Sequence, residues 1–322
     1  MAKPCSRSSK STSREPGIKY DRAVTDALAP GAEVHGLESN YLIDGQLGEG
    51  GFSQTFAGKR PFDGKQVVLK VLRLDRAGEL KALELFEREA KVLAGLEHPR
   101  IPKTLEFFAW DGSRAYAPYE VPQVQPGGAP LRWIMIQERV EGRSLREGIR
   151  ERQRLDPKQI EQLLVDLLEV LEYLHGLNPP VVHRDIKPAN VILDPEGRAH
   201  LVDFGAIQDR LRRASTVGST SVGTFGYIPM EQMMGQAREA SDLFALAMTV
   251  LVVASHREPE DLPIDDATAK VKVRELGLSL SAKTKNVLDR MVEPIIGQRF
   301  GSARECLDVL QGRALLASPG GR

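Results

Sequence analysis

The chain has 322 residues, 41% of them hydrophobic, enough for one large core or two lobes. Lys plus Arg and Asp plus Glu both number 44, so no global field draws the chain to nucleic acid or to an acidic surface. Two distant cysteines, Cys5 and Cys306, argue against a disulfide framework and suit a reducing cytoplasm. The longest uncharged apolar run, Leu243 to Ala254, spans about twelve residues, too short for a bilayer and suited to a buried core helix. The N-terminus carries no long apolar stretch of the kind a signal peptide needs.

Residues 1–38 read as a disordered basic, Ser-rich tail, polar and without period from Ser6 to Arg14; the alternative is a docking or autophosphorylation segment. From Tyr41 the pattern becomes strand-like. Leu47-Gly48-Glu49-Gly50-Gly51-Phe52-Ser53 joins two strands, and after the turn signal Pro61-Phe62-Asp63-Gly64 a third runs from Val67 to Leu72. Glycines there permit either a tight hairpin or a close approach of backbone amides to a polyphosphate. No Gly-Lys-Ser/Thr follows, and the turn opens into a strand, which excludes a Walker loop and a dinucleotide turn.

Lys70 lies inside that apolar third strand, where a charge is costly unless paired. A helix is expected over residues 79–96, with Ala82, Phe86, Ala90, Leu93 and Leu96 on one stripe and Glu89 on the same face. Glu89 is therefore either a partner for Lys70 or a solvated helix-edge carboxylate. His98-Pro99 ends this helix. Strands at 105–110 and 133–140 flank a Pro- and Gly-rich loop, 111–131, which is either a mobile insertion or a docking element.

The rest is mainly helical. Asp156-Pro157 opens a helix running to His175. A short helix follows Pro229, a buried one covers 241–255, and two amphipathic helices, 281–292 and 302–310, close the chain. The architecture is α+β with two lobes, a strand-rich one over 39–138 and a mainly helical one over 139–313, before a tail at 314–322. The cleft falls at the joint near 138–142.

Chemistry concentrates in Val182-His183-Arg184-Asp185-Ile186-Lys187-Pro188-Ala189-Asn190 and Asp203-Phe204-Gly205. Apolar runs alternate with these polar positions, as if short strands, Val181-Val182 among them, held polar groups at loop tips. Two carboxylates, a lysine and an amide suit a metal-assisted site.

Taken together, Gly48-x-Gly50, Lys70, Glu89, His183-Arg184-Asp185, Lys187, Asn190, Asp203-Phe204-Gly205, Gly223-Thr224-Phe225-Gly226-Tyr227, Glu231, Asp242 and Arg299 resemble, in order, a eukaryotic-type (Hanks-type) Ser/Thr protein kinase. The match covers roughly Tyr41 to Leu310, and the 223–232 segment is closest to the bacterial branch. The resemblance implies a two-lobe kinase fold, ATP and Mg²⁺ as cofactors, and transfer of the γ-phosphoryl group to protein Ser/Thr hydroxyls. Asp185 would be the base, with Lys187 steadying the γ-phosphate; Lys70, fixed by Glu89, would hold the α/β-phosphates. Asn190 and Asp203 would ligate Mg²⁺. Leu47, Gly48, Gly50, Gly51, Thr55, Val68, Gln137 (the gatekeeper position), Glu138, Val140 and Ile192 would contact the nucleotide.

The resemblance also gives structural roles to His183, Arg184, Phe204, Gly205, Thr224, Asp242 and the pair Glu231–Arg299. Arg184 suggests control by phosphorylation of the loop 206–222, with Thr220 and then Thr216 as the expected sites, reached through a transient homodimer; the alternative is that these are merely polar loop residues. Departures are Ser53 for the third glycine, Thr55 and Val68 in the nucleotide roof, and Pro229-Met230-Glu231 in place of Ala-Pro-Glu. The altered roof keeps a pseudokinase, a nucleotide-binding scaffold, as the competing reading. A small-molecule kinase is a third, opposed by the peptide-presenting segment Gly223 to Glu231.

Overall fold

The computed structural model describes residues 28–49, 53–72, 86–87, 90–121, 131–204 and 226–315. Among the described residues, seven antiparallel strands build the first lobe: β1 (Glu33–His35), β2 (Asn40–Glu49), β3 (Ser53–Lys59), β4 (Gln66–Leu72), β5 (Thr104–Trp110), β6 (Ala115–Tyr116) and β7 (Arg132–Glu138). Their spatial order is β1-β2-β3-β4-β7-β5-β6. Strand alternation divides β4 between two environments. Val67, Leu69 and Val71 face an outer core with Tyr41, Phe108 and Ile136, while Leu72 on the opposite face joins the larger core that runs into the second lobe. Lys70 shares the parity of Leu72, so the period of the strand delivers its ammonium to the inner side.

Helical residues 86–87 and 90–94 lie across that inner face, and Phe86, Ala90 and Leu93 are buried there as the stripe requires. The second lobe contains α1 (Leu145–Arg150), α2 (Pro157–His175), α3 (Met230–Met233), α4 (Glu239–Ser255), α5 (Ala282–Met291) and α6 (Ala303–Leu310). Asp156 caps α2 through Gln159 N, and Gln159 caps back, with Pro157 in the first turn. Helix α4 is apolar on nearly every side and is buried accordingly. A small sheet of β8 (Arg143–Ser144), β9 (Val191–Leu193) and β10 (Ala199–Leu201) underlies the cleft. Between Ser255 and Ser281 the chain forms two 3-10 turns, 259–261 and 273–276, and one antiparallel bridge, Ile264 to Val271. Among the described residues no helix is long and apolar enough to cross a membrane.

Three sequence expectations need correction. Strand β1 lies inside the segment 1–38 expected to be disordered: Val34 and Leu28 are buried in the outer core, and β1 pairs with β2. A three-residue strand has too little periodicity to be seen beforehand. Val181-Val182 is not a strand; the chain there is irregular, and only β9 and β10 flank the polar positions. The 111–131 insertion begins with a two-residue strand, β6, held by Asp111, which accepts from Ser113 N, Arg114 N and Tyr116 Oη.

Glu106 explains why the first residues are fixed. It is buried on β5 and accepts from Leu37 N (2.6 Å), Glu38 N (3.1 Å), Ser39 N (3.1 Å) and the Tyr41 hydroxyl. Burial and this carboxylate push the Tyr41 hydroxyl pKa up. Glu106→Leu strips the acceptor from these donors and is expected to destabilise the protein by about 2–3 kcal/mol, read as a lower urea midpoint at unchanged m-value. An unchanged midpoint would contradict this role.

Candidate active site

The loop from Val181 to Asn190 carries most of the polar groups, and its shape is fixed from below by α4. Asp242, fully buried in the first turn of that helix, accepts from His183 N (2.7 Å) and Arg184 N (2.8 Å) and meets His175 Nε2 at 3.0 Å. Gln232, also buried, donates to Arg184 O at 2.6 Å. This bracket matters because Arg184 has φ +68°, a left-handed conformation costing a side-chain-bearing residue about 1–3 kcal/mol. Both its N–H and its C=O are held. His183 is buried, and burial lowers its pKa; its Nδ1 faces Asp185 N at 3.3 Å and its ring lies 4.6 Å from that of Phe204.

Asp185 projects from this loop. Lys187 Nζ reaches both its carboxylate oxygens, at 2.9 and 2.7 Å, and Asn190 Nδ2 donates to its Oδ2 (2.9 Å) and its backbone carbonyl (2.8 Å). One ammonium and one amide thus set the carboxylate's direction. Val202 N donates to Asn190 O at 3.0 Å, tying the loop to the segment that carries Asp203. Asp203 also has a positive φ, +58°. Its Oδ1 accepts from Lys70 Nζ at 2.7 Å, a contact between residues 133 apart in sequence. The Lys70 ammonium beside it holds the Asp203 pKa down.

Lys70, Asn190 and Asp203 open onto one cleft of about 400 Å³ between the lobes. Leu47, Gly48, Thr55 and Val68 line it from the first lobe, Gln137, Glu138 and Val140 from the joint, and Ile192 from below. Gln137 is nearly buried and reaches Thr104 Oγ1 at 3.4 Å. Glu138 is steadied by Lys65 at 2.5 Å. Gly142 follows with φ +134°, and a Cβ there would collide with the Leu193 carbonyl, so only glycine lets the joint between the lobes pass β9. Of the expected residues, Gly50, Gly51, Glu89, Gly205, Thr216, Thr220 and Thr224 lie outside the described residues.

Some positioning residues escaped sequence reasoning. Gln232 and His175 carry no local signal, since their partners are distant in sequence. Glu147, which lines the cleft, had one: it stands three after Ser144 and forms a capping box with it at the start of α1.

Below the site, Glu231 and Arg299 meet at 2.6 and 3.2 Å, and Ser241 Oγ donates to Glu231 at 2.8 Å. Burial raises the Glu231 pKa, but the hydrogen bonds from Arg299 and Ser241 outweigh it and the net shift is downward. A lowered folded pKa means that this stabilisation is complete above the unfolded glutamate value, about 4.3, and is lost as pH falls through the folded value. The stability gap between wild type and Glu231→Gln in urea titrations is therefore expected to be constant near neutrality and to narrow below about pH 4.3. A gap that widens with acid would contradict the assignment.

Comparison with known proteins bears on the family and the fold. A family profile described as the protein kinase domain matches residues 41–312. Serine/threonine-protein kinase F of Synechocystis sp. is 33% identical over 287 residues, covering 86% of this chain and 56% of that protein. Serine/threonine-protein kinase PknA of Nostoc sp. is 28% identical over 288 residues, covering 85% and 47% respectively. The chain thus spans about half the length of the curated relatives it matches. Among solved structures, the apo form of PpkA-294 superposes with a TM-score of 0.65 at 20% identity, covering 84% of this chain and 95% of that one. The Mycobacterium tuberculosis PknI kinase domain gives 0.61 at 23%, covering 89% and 100%. At these identities the structures speak for the fold alone, two lobes with an antiparallel sheet in the first. The chain belongs to the protein kinase family, in its bacterial Hanks-type branch.

Proposed function

We propose that this chain is a Ser/Thr protein kinase that transfers the γ-phosphoryl group of ATP to a protein hydroxyl. The observation that carries the reading is the Lys70–Asp203 contact at the cleft, with Asp185 held by Lys187 and Asn190 on the loop beside it. In phosphoryl transfer most of the protein's work is positioning and charge neutralisation, and this arrangement supplies both.

In this reading Lys70 is the cation for the α/β-phosphates, and Leu47, Gly48, Thr55, Val68, Gln137, Glu138, Val140 and Ile192 enclose the nucleotide. Asp185 orients the substrate hydroxyl and accepts its proton, while Lys187, already beside that carboxylate, can turn to the γ-phosphate. The donor set fits Mg²⁺. Asn190 uses Nδ2 toward Asp185, so Oδ1 is the atom it would offer, and Asp203 adds carboxylate oxygens, all hard ligands. The metal, when bound with ATP, would offset the negative charge of the phosphates. Phosphorylation of Thr220 or Thr216 within a transient homodimer, and a cytoplasmic site of action on protein substrates, complete the proposal.

Transfer of radiolabelled phosphate from ATP to the protein or to a generic substrate tests it. Asp185→Asn keeps the shape but removes the base, and is expected to lower kcat by about 10²–10⁴ while the melting temperature stays near that of wild type. Equal transfer by both proteins would remove Asp185 from this role. Mass spectrometry after incubation with Mg-ATP is expected to find phosphate on the 206–222 loop, and an unmodified loop in active protein would defeat that part of the proposal.

A further inference from the structure

The segment 97–103 connects the first-lobe helix to β5, and it is bolted to the second lobe by charge. Arg100 stands at its centre, with a mostly buried side chain. Its Nη1 donates to Glu169 at 2.6 Å and its Nη2 lies 3.3 Å from Asp166. Asp166 and Glu169 sit three apart on α2, and Tyr173, one turn further along the same face, accepts from Glu97 N at 2.8 Å and lies against His98.

Asp166 is fully buried in the middle of a helix, an expensive position for a carboxylate unless it is fully engaged. It is engaged: Arg198 Nε (3.0 Å) and Nη2 (2.8 Å), Ala199 N (3.0 Å) and Gln162 Nε2 (2.7 Å) all donate to it. Burial opposes its ionisation, but these bonds and the Arg100 charge outweigh that and hold its pKa down. The same carboxylate thus gathers α2, the connector and the start of β10.

The connector also reaches the site through its own backbone. Leu201 N donates to Arg100 O at 3.0 Å, two residues before Asp203, and Glu138 N donates to Lys103 O at 2.9 Å, at the joint between the lobes. Pro102 lines the cleft itself.

We propose that Arg100 is a positioning residue for the phosphoryl-transfer site. By clamping the connector onto Asp166 and Glu169 it fixes the height of the first lobe, and hence of Lys70, relative to Asp203. This rests on the kinase reading above. Arg198 is the internal control. It is bound to the same buried carboxylate but belongs to the β9–β10 hairpin, so losing it weakens the carboxylate network without freeing the connector.

Arg100→Met and Arg198→Met are compared by thermal melting, by steady-state kinetics and by amide hydrogen exchange of peptides covering 90–101 and 199–204. Both variants are expected to melt earlier. Only Arg100→Met is expected to lower kcat, about tenfold, since small misplacements of reacting groups cost that much or more. Arg198→Met should stay within about twofold of wild type, consistent with a structural role alone. Exchange of the 90–101 peptide should accelerate in Arg100→Met and not in Arg198→Met, whereas 199–204, which adjoins Arg198 and is held by the same carboxylate, should accelerate in both. Arg100→Lys keeps the charge but cannot span two carboxylates, and serves if the methionine variant does not fold; it should reduce kcat about threefold. Equal kinetic losses in the Arg100 and Arg198 variants, or Arg100 variants with wild-type kcat and exchange, would overturn the proposal. If wild type itself transfers no phosphate, the kinase reading fails and the exchange pattern alone decides whether Arg100 clamps the connector.

Discussion

The structure depends on one buried carboxylate, Asp242. Helix α4 is apolar on nearly all sides and anchors the second lobe, so a charged group in its first turn must be repaid by directed hydrogen bonds. It finds them in the two amides of His183 and Arg184 and in the His175 ring. Those amides belong to the loop that carries Asp185, Lys187 and Asn190. The strained left-handed turn at Arg184 is tolerable only because Asp242 and Gln232 hold its backbone on both sides. The core thus transmits its rigidity to the polar loop through a few bonds with fixed directions.

The second constraint is strand parity. Lys70 comes to the inner side of the sheet because Val67, Leu69 and Val71 take the outer core. Strain recurs at Asp203, whose positive φ is accompanied by the bond from Lys70 and by the Val202–Asn190 link. Each lobe delivers one charged partner to the cleft, and the connector bearing Arg100 is positioned to set the distance between them.

Much of this was legible in the sequence, for physical reasons. Lys70 stood out as a charge in an apolar strand. Asp156-Pro157 marked the start of α2 because cap chemistry is local. The run from Leu243 to Ala254 announced a buried helix, and the spacing of His183 to Asn190 and Asp203 carried the family resemblance. Contacts that join distant segments left no comparable trace. Glu106 reads as one polar residue in a strand, yet it binds a turn nearly seventy residues away. Asp166 reads as a polar interruption in a leucine-rich helix, and Gln232 as a surface amide. Strand β1 was hidden for a related reason, since a three-residue strand is defined by its partner rather than by its own pattern.

In the proposed function, Lys70, Asn190 and Asp203 together hold a metal–nucleotide complex. Calorimetric titration of ATP into the protein, with and without Mg²⁺, tests it most directly, with Asp203→Asn alongside wild type. Mg²⁺ is expected to strengthen ATP binding to wild type, and Asp203→Asn to lose this metal-dependent gain while remaining folded. ATP binding that is indifferent to Mg²⁺, or the same gain in the variant, would contradict it.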